Sequence, residues 1–490
     1  MKWRSSLLLV TIALFLGGFI LFYERKRPTS EETESSAKRL FDFKSDEIRW
    51  IEIDRDGTLE RFEREKSTLP EPRSGSAPSA KREETAGSFG GSSKKWMMVK
   101  PAKDKADGFL VDSLADRLSG LESKRALDTP AAAPPDDQAG LSPPRFRIRF
   151  DAGKGPVSLL AGREAPATGG VYFRIDKEPA SAGGGASRQR ARTYLVGREL
   201  VGSLDRSPAE WREKQLIDVA ALDLGEATVV RPAGTLRFRR QGEDWRLAEP
   251  IDDEAQGSKV QGLLSSVTGL RAEAFHETAE VASKAGLQQP AHRVRLARRD
   301  GQPAGELLIG NPVEGNSDRL YASAAGREGI AEVHKRILEE IDADAESFRA
   351  RRLFTISEFE ARELKLESKG EKLSLSKVEK PEGGGPGEWK ATIPSGLKPK
   401  ADAVEQTLRS LLEIEADSIV GPARDLPAYG LDPPAARAEV AEAQPSKKEV
   451  VRFGKQAPGV GKLYALKEGR SYILTVPSSI LDRFTVKTYR

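Results

Sequence analysis

The chain has 490 residues, of which 38% are hydrophobic and 31% are charged, and its 79 basic and 75 acidic side chains leave a net charge of +4. This composition is typical of soluble globular domains, and the length predicts about three of them. No cysteine occurs, which excludes disulfides, thiolate catalysis and cysteine-based metal sites. Basic and acidic residues are interleaved along the chain, so we predict a mixed, solvated surface and no nucleic-acid partner.

The N-terminus is strongly apolar. Residues 5–23 carry no charge, and the stretch is about as long as a helix that crosses a bilayer. A cleaved signal peptide and a buried core helix are the alternatives, but the charged cluster Glu24 to Arg27 follows instead of a small-residue cleavage site. We therefore predict a transmembrane anchor with its flanks over residues 1–27 and a polar spacer over residues 28–44. Basic residues lie on both sides of the span, so charge alone does not decide its orientation.

Three segments beyond the spacer repeat one set of markers. Each has a Trp-x-x-x-x-Pro segment, then a Gly-Leu-x-x-Pro segment, then a glycine that precedes a tyrosine. The markers are Trp96, Gly140, Gly162 and Tyr172; Trp245, Gly286, Gly310 and Tyr321; and Trp389, Gly430, Gly454 and Tyr464. Recurrence in one order predicts a single domain design that occurs three times. We assign the three copies to residues 45–216, 217–354 and 355–490.

Each copy has the same order of predicted elements. Two alternating runs around a Gly-containing turn predict a hairpin, and the Trp segment predicts a third strand. A helix follows, because residues at matching distances after each Trp form one apolar stripe. The stripe residues are Val111, Leu118 and Leu121; Val260, Val267 and Leu270; and Val404, Leu411 and Ile414. Four further strands and a closing helix complete the copy, and the closing helices are expected over ELVGSLDRSPAEWREKQL, KRILEEIDADAESFRARRL and SSILDRF.

The predicted fold class is α+β, with an N-terminal transmembrane helix followed by three tandem two-layer modules of antiparallel sheet packed with helices. The three tryptophans are predicted to fill the core beneath the helix, and the Gly-Leu-x-x-Pro segments are predicted to form tight turns. The copies differ in polar or Gly-rich insertions at residues 67–93, 126–137, 181–190 and 379–388. These insertions are predicted to be surface loops.

No pattern in the sequence indicates catalysis. The three histidines, His276, His292 and His334, do not stand at metal-ligand spacings from one another, and neither a nucleophile elbow nor a P-loop is present. Acidic residues around the start of each predicted helix are interpreted as helix caps or dipole partners. They are Asp104 and Asp107; Asp252, Asp253 and Glu254; and Asp402. We therefore assign no catalytic, cofactor-binding or metal-binding residue, and we expect no cofactor and no enzymatic activity.

The order of these motifs resembles the bacterial family called domain of unknown function 4340. The resemblance rests on Trp-x4-Pro, on Ala-Asp before the helix at Ala106-Asp107 and Ala401-Asp402, and on the run from Tyr429 to Pro434. It implies a membrane-anchored bacterial protein, of a kind often encoded beside ABC-type transporter components or gliding-motility auxiliaries. It also implies a single pass through the cytoplasmic (inner) membrane, with the modules outside it.

Three functions are compatible with the sequence. The first is a non-catalytic, membrane-anchored scaffold or auxiliary subunit of an ABC-transporter-associated envelope complex, with protein partners in that complex. The second is an extracytoplasmic glycan- or peptidoglycan-binding module, in which exposed aromatic rings stack on sugars. The rings considered for that role are Trp50, Tyr172, Tyr321 and Tyr464. The third is a hydrolase that uses aspartate or glutamate.

Overall fold

The computed structural model describes residues 38–65, 95–127, 134–166, 169–177, 192–378, 387–443 and 447–490. The predicted transmembrane segment and most of the spacer lie outside these residues, as do the insertions at 67–93 and 181–190 and parts of the other two. Among the helices of the described ranges, none combines the length and the apolar character needed to cross a bilayer.

The described residues form three antiparallel sheets that follow one another along the chain. The strands of the first sheet are β1 (Trp50–Arg55), β2 (Thr58–Arg64), β3 (Trp96–Lys100), β4 (Asp104–Lys105), β5 (Ser123–Leu127), β6 (Phe146–Asp151), β7 (Pro156–Glu164), β8 (Val171–Lys177) and β9 (Arg192–Val196). The strands of the second are β10 (Leu224–Arg231), β11 (Gly234–Gln241), β12 (Asp244–Glu249), β13 (Asp253–Glu254), β14 (Ala274–His276), β15 (His292–Arg298), β16 (Pro303–Val313), β17 (Asn316–Ala324) and β18 (Ile330–His334). The strands of the third are β19 (Ala361–Ser368), β20 (Glu371–Val378), β21 (Glu388–Ile393), β22 (Ser418–Pro422), β23 (Ala436–Glu442), β24 (Lys448–Gln456), β25 (Lys462–Lys467) and β26 (Tyr472–Pro477).

The first two sheets share one strand order, and the third repeats it without the short edge strand that β4 and β13 form. The order is β4-β3-β2-β1-β6-β7-β8-β9-β5 in the first sheet, β13-β12-β11-β10-β15-β16-β17-β18-β14 in the second, and β21-β20-β19-β23-β24-β25-β26-β22 in the third. The prediction of three tandem modules of antiparallel sheet is therefore confirmed. The helices are α1 (Gly108–Ser119), α2 (Asp136–Ala139), α3 (Glu199–Leu204), α4 (Gly257–Thr268), α5 (Ala279–Lys284), α6 (Ile337–Ile341) and α7 (Ala401–Leu412). The described chain is thus mostly β, with less helix than the predicted α+β class implies.

The chain packs into two compact units. One comprises the described residues up to Lys214 with the short segments Ala272–Thr278 and Gly326–Ala331, and the other comprises the described residues of Gln215–Arg271, Ala279–Ala325 and Glu332–Arg490. The second unit therefore holds the third sheet and most of the second.

Each sheet buries one face beneath the helix that follows its Trp strand. In the first sheet, Ile51 of β1 lies opposite Phe62 of β2, and both belong to one buried cluster with Val111 of α1. Trp96 is 1% exposed, and its indole Nε1 donates to Asp112 Oδ1 at 2.8 Å. Trp245 and Trp389 are buried as well. The predicted core position of the three tryptophans is confirmed, because each side chain fills the space between sheet and helix.

The repeated glycines pack against each other in pairs. In the second copy, Gly286 has a φ of +69°, and a Cβ at Gly310 would stand 1.9 Å from the Ala285 carbonyl oxygen. The same close approach joins Gly140 to Gly162 and Gly430 to Gly454. Only glycine fits at Gly310, since a side chain there would collide with backbone. The turn that follows the first glycine is also as predicted, and isolated bridges close it in the first and third copies.

Two features differ from the predicted element order. The closing helices are short, because α3 ends at Leu204, ahead of Pro208, and the backbone after it turns back to pair Arg212 with Ala106. The segment after each main helix forms an additional edge strand, such as β5, which pairs with β9. Exposed, charged residues dominate β5, so its sequence lacks the alternation that signals a strand.

The linker between the second and third sheets is itself hydrogen-bonded on both sides. Ala350 N–H donates to the Glu254 carbonyl at 2.9 Å, next to the second sheet. Leu353 N–H donates to the Ile414 carbonyl at 3.3 Å, and Ala416 N–H donates to the Arg351 carbonyl at 2.7 Å, at the third sheet. The hydrogen bond from the Leu353 N–H has counterparts in the other copies, where the Leu40 N–H donates to the Leu121 carbonyl and the Leu216 N–H donates to the Leu270 carbonyl. Such a linker behaves as part of the fold rather than as a free tether.

Candidate functional site

A buried aspartate joins two arginines in the second unit. The Asp253 carboxylate accepts from Arg470 Nε at 2.9 Å and from Arg470 Nη2 at 2.8 Å, which is a bidentate pair. It also accepts from Arg349 Nε at 2.8 Å and from the Glu254 N–H at 2.9 Å. Asp253 and the Arg470 side chain are fully buried. Because Asp253 belongs to β13 and Arg470 to the turn between β25 and β26, this cluster locks the second sheet to the third.

Neighbouring side chains complete this joint. The Arg349 guanidinium lies 4.3 Å from the centre of the Tyr472 ring, a cation–π contact. Lys467 Nζ lies 3.3 Å from Glu254 and 2.9 Å from Glu449. Burial alone would lower the pKa of Lys467, but the two carboxylates outweigh it and raise that pKa. Lys467 therefore stays charged, and its two acidic partners come from different sheets.

The same arrangement recurs within the first unit. Asp104, on β4, accepts from Arg212 Nε at 2.7 Å and from Arg327 Nη2 at 3.0 Å. The Arg212 guanidinium stacks 4.0 Å from the centre of the Phe275 ring. Asp104 and Arg212 are almost completely buried. The cluster thus occurs twice, each time with an aspartate beside the Trp strand and two arginines that are distant in sequence. This recurrence indicates a structural role.

The clusters correct the interpretation of the acidic residues. Asp107 is a helix cap as predicted, since its carboxylate accepts from the Leu110 N–H at 3.1 Å. Asp104 and Asp253 are not helix caps, because their carboxylates accept hydrogen bonds from arginines. Asp252 is exposed and pairs with Arg246 at 2.8 Å. Arg212 and Arg349 lie in the segments expected to form closing helices, whereas Arg327 and Arg470 follow single glycines in hairpin turns, where a sequence pattern gives little warning.

The third copy lacks this cluster. The position of Asp104 and Asp253 is occupied by Leu397, which packs partly buried against the core of its own sheet. Pro399 stands where Ala106 and Ala255 donate an N–H to the carbonyl of their tryptophan, and a proline has no such donor. Lys400 N–H donates to the Tyr489 carbonyl at 3.1 Å, which places Arg490 at the position of Arg212 and Arg349.

The first sheet contains one buried carboxyl with no hydrogen-bond partner in the described part of the chain. Glu60, on β2, is 1% exposed, and neither carboxyl oxygen is bonded. It occupies the place of Leu236 and Leu373 in the other sheets. Burial raises the pKa of Glu60 from 4.5 to about 7, opposed by the charge of Arg55 and by the Trp211 indole, and aided by the charge of Glu210.

The four aromatic residues proposed for sugar stacking lie in different surroundings. Tyr321 is buried, Tyr172 packs on Leu195, and Tyr464 meets Tyr429 edge to face with 4.9 Å between ring centres. Trp50 lines an open groove of about 1020 Å³ on the first sheet. The Arg61 guanidinium lies 4.5 Å from the centre of the Trp50 ring, so one side of the indole is already occupied.

A family model described as Domain of unknown function (DUF4340) matches residues 96–290, 245–388 and 389–488. The chain belongs to this family. Each of the three DUF4340 matches begins at one of the tryptophans Trp96, Trp245 and Trp389. Comparison with curated proteins and with solved structures gives no match.

Two histidines of this DUF4340 chain have separate hydrogen-bond partners. His292 Nε2 lies 2.9 Å from Asp342 Oδ1, and His334 Nδ1 accepts from the Arg336 N–H at 3.1 Å. No group of three or more potential metal-ligating side chains occurs among the residues that the structure describes. Among the described residues, the buried aspartate–arginine cluster recurs in the first and second copies, and the copies also differ at Glu60 and at Leu397.

Proposed function

We propose that this DUF4340 protein is a membrane-anchored scaffold, acting as an auxiliary subunit of an ABC-transporter-associated complex in the bacterial envelope. Its N-terminal segment would hold it in the cytoplasmic membrane, with the modules on the outer side. The scaffold role is carried by one observation, the buried Asp253 cluster that locks consecutive sheets together.

The physical argument concerns what the joint is able to do. Adjacent domains joined by free linkers move relative to each other by default. Here the linker residues are bonded to both sheets, and a carboxylate with four donors is buried between them. Buried polar groups of this kind fix one arrangement, since any displacement leaves charges unpaired in a low dielectric. A chain built this way is suited to holding partner proteins at a set spacing.

Affinity purification tests the partner prediction. Full-length tagged protein, cross-linked in native membranes before solubilisation, is expected to recover permease and ATPase subunits of an ABC-type transporter. A control variant, Asp252→Leu, changes an exposed neighbour of the joint and is expected to recover the same subunits. Recovery of the tagged protein alone, under cross-linking that captures other membrane complexes, would contradict the proposal.

The groove beside Trp50 favours glycan binding as a second candidate. Its volume is about 1020 Å³, and it is lined by Arg49, Arg61 and Lys154 as well as by acidic residues. We expect Trp50→Ala to lower retention on purified peptidoglycan about tenfold, because ring stacking contributes on the order of 1 kcal/mol. Tyr464→Ala, which removes an aromatic ring outside the groove, is the control. Equal retention of both variants and the unchanged protein would remove this candidate.

The hydrolase alternative draws no support from Glu60. Its pKa of about 7 suits a general acid, but its carboxyl is 1% exposed and lies against Trp211. A general acid must reach the substrate, so Glu60 offers no catalytic position in this conformation.

A further inference from the structure

One surface of the third sheet differs from its counterparts in the other two copies. It consists of Ile393, Leu397, Lys398, Lys400 and Arg490, and we call it the Leu397 surface. Ile393 is 49% exposed, Leu397 is half-buried, and the three basic side chains are exposed. At the corresponding place on the second sheet, Asp253 and Arg349 are covered by Arg470 and Tyr472. The Leu397 surface is therefore the counterpart of a protein-covered face.

The chemistry of the Leu397 surface excludes the occupant found at Asp253. An inserted arginine needs the carboxylate, which Leu397 replaces, and it would meet the cations Lys398 and Arg490 instead. Strand addition is disfavoured too, because Pro399 removes a donor at this edge and prolines block edge pairing. A second copy of this chain, presenting its arginine turn, does not fit.

The charges indicate what does fit. Three of the five residues of the Leu397 surface are basic and exposed, and the nearest acidic side chain in the sequence is Asp402, in the first turn of α7. Complementarity requires carboxylates at the rim and apolar side chains at the centre of the occupant. A folded protein segment covers the equivalent face of the second sheet, which favours a protein over a lipid surface.

We propose that the Leu397 surface binds an acidic segment of a partner protein that inserts apolar side chains against Ile393 and Leu397. This inference rests on the proposed scaffold function and names the chemistry of one partner contact. It predicts that contact with the partner is lost at high salt, because exposed charge pairs are screened.

Site-specific photo-cross-linking tests the proposal in full-length protein in native membranes. A benzophenone amino acid at Ile393 is expected to form an adduct with one other polypeptide, and the same probe at the exposed Val460 is not. Mass spectrometry of the adduct should place it in a segment that contains Asp or Glu beside apolar residues. Lys398→Glu with Lys400→Glu should lower adduct yield about tenfold, whereas arginine at both positions should preserve it.

Two controls separate the contact from folding and from net charge. Glutamate at position 400 precedes the N-terminus of α7, where a negative charge is favourable, so the variant is expected to fold. Lys259→Glu with Lys455→Glu makes the same change in net charge elsewhere and should leave the yield unchanged. An adduct with lipid or with a second copy of the chain, equal yields from Ile393 and Val460, or a yield unaffected by charge reversal would each overturn the proposal. If transporter subunits still copurify in those cases, the scaffold function stands and only this contact is wrong.

Discussion

Replacement of Asp253 by leucine is expected to lower the free energy of unfolding at the joint of the second and third sheets by about 3 to 5 kcal/mol. The substitution imitates the third copy, where leucine is the natural residue. At position 253, however, it leaves Arg349 and Arg470 buried without their shared carboxylate. The energetic cost comes from the unpaired guanidinium groups rather than from the leucine itself. The third copy tolerates leucine because Arg490 is exposed there.

The absence of cysteine from the chain makes this measurement simple. A single cysteine in place of the buried Ala227 reports opening of the second sheet, and one at Ala438 reports opening of the third, through the rate of thiol labelling in urea. Asp253→Leu should accelerate labelling at both probes, and Asp252→Leu should change neither. Adding Arg349→Met and Arg470→Met to Asp253→Leu should restore most of the lost stability, because no buried charge is then left without its partner. If Asp253→Leu lowers the free energy of unfolding no more than Asp252→Leu does, the cluster does not hold the second and third sheets together.

Replacement of Glu60 by leucine is expected to stabilise the first sheet by about 3 kcal/mol at pH 8. The pKa of Glu60 is about 7 in the folded chain and 4.5 ordinarily, so folding favours its protonated form. Between pH 4.5 and 7 the folded state binds more protons than the unfolded state, and stability falls as pH rises. Above pH 7 the full cost of ionising a buried carboxyl is present. Leucine, which the other two sheets have at this place, removes that cost.

Charged groups around Glu60 define the controls. Arg55 faces it from β1, while Arg206 and Glu210 lie in the segment that leads to Trp211. Labelling of a cysteine at the buried Ala161 should show that Glu60→Gln removes most of the pH dependence of stability between pH 5 and 8. Glu63→Gln, on the exposed side of the same strand, should leave that dependence intact. A pH dependence that is the same in Glu60→Gln and in the unchanged protein would show that Glu60 is not its source.

Local periodicity was sufficient to predict much of the fold. The stripe containing Val260 lies within a single helix, and the glycines Gly286 and Gly310 have counterparts at a similar spacing in the other two copies. Their recurrence therefore identifies helix, turn and core directly. The short closing helices were missed, since the backbone near Arg212 is recruited to pair with Ala106. Tertiary pairing of this sort overrides helix propensity and leaves no local signal.

The two aspartate–arginine clusters could not be predicted from the sequence, for a related reason. Asp253 stands where helix-capping acids are common, and capping explained it without further partners. Its strongest partner, Arg470, lies 217 positions along the chain in a hairpin turn. The recurrence of Asp104 and Asp253 beside the Trp strand, together with their absence in the third copy, was the available clue. The Leu397 surface became visible only after the cluster explained what the missing carboxylate does.

The leucine at position 397 also fixes the order of the three copies along the chain. Arg327 finds its carboxylate at Asp104 and Arg470 finds its carboxylate at Asp253, but no third acceptor exists at the matching position. A rearranged gene that moved the third copy ahead of the second would place an arginine against Leu397, buried and without a counter-charge. The copies are therefore not interchangeable units, and recombination among them would be selected against at the level of folding.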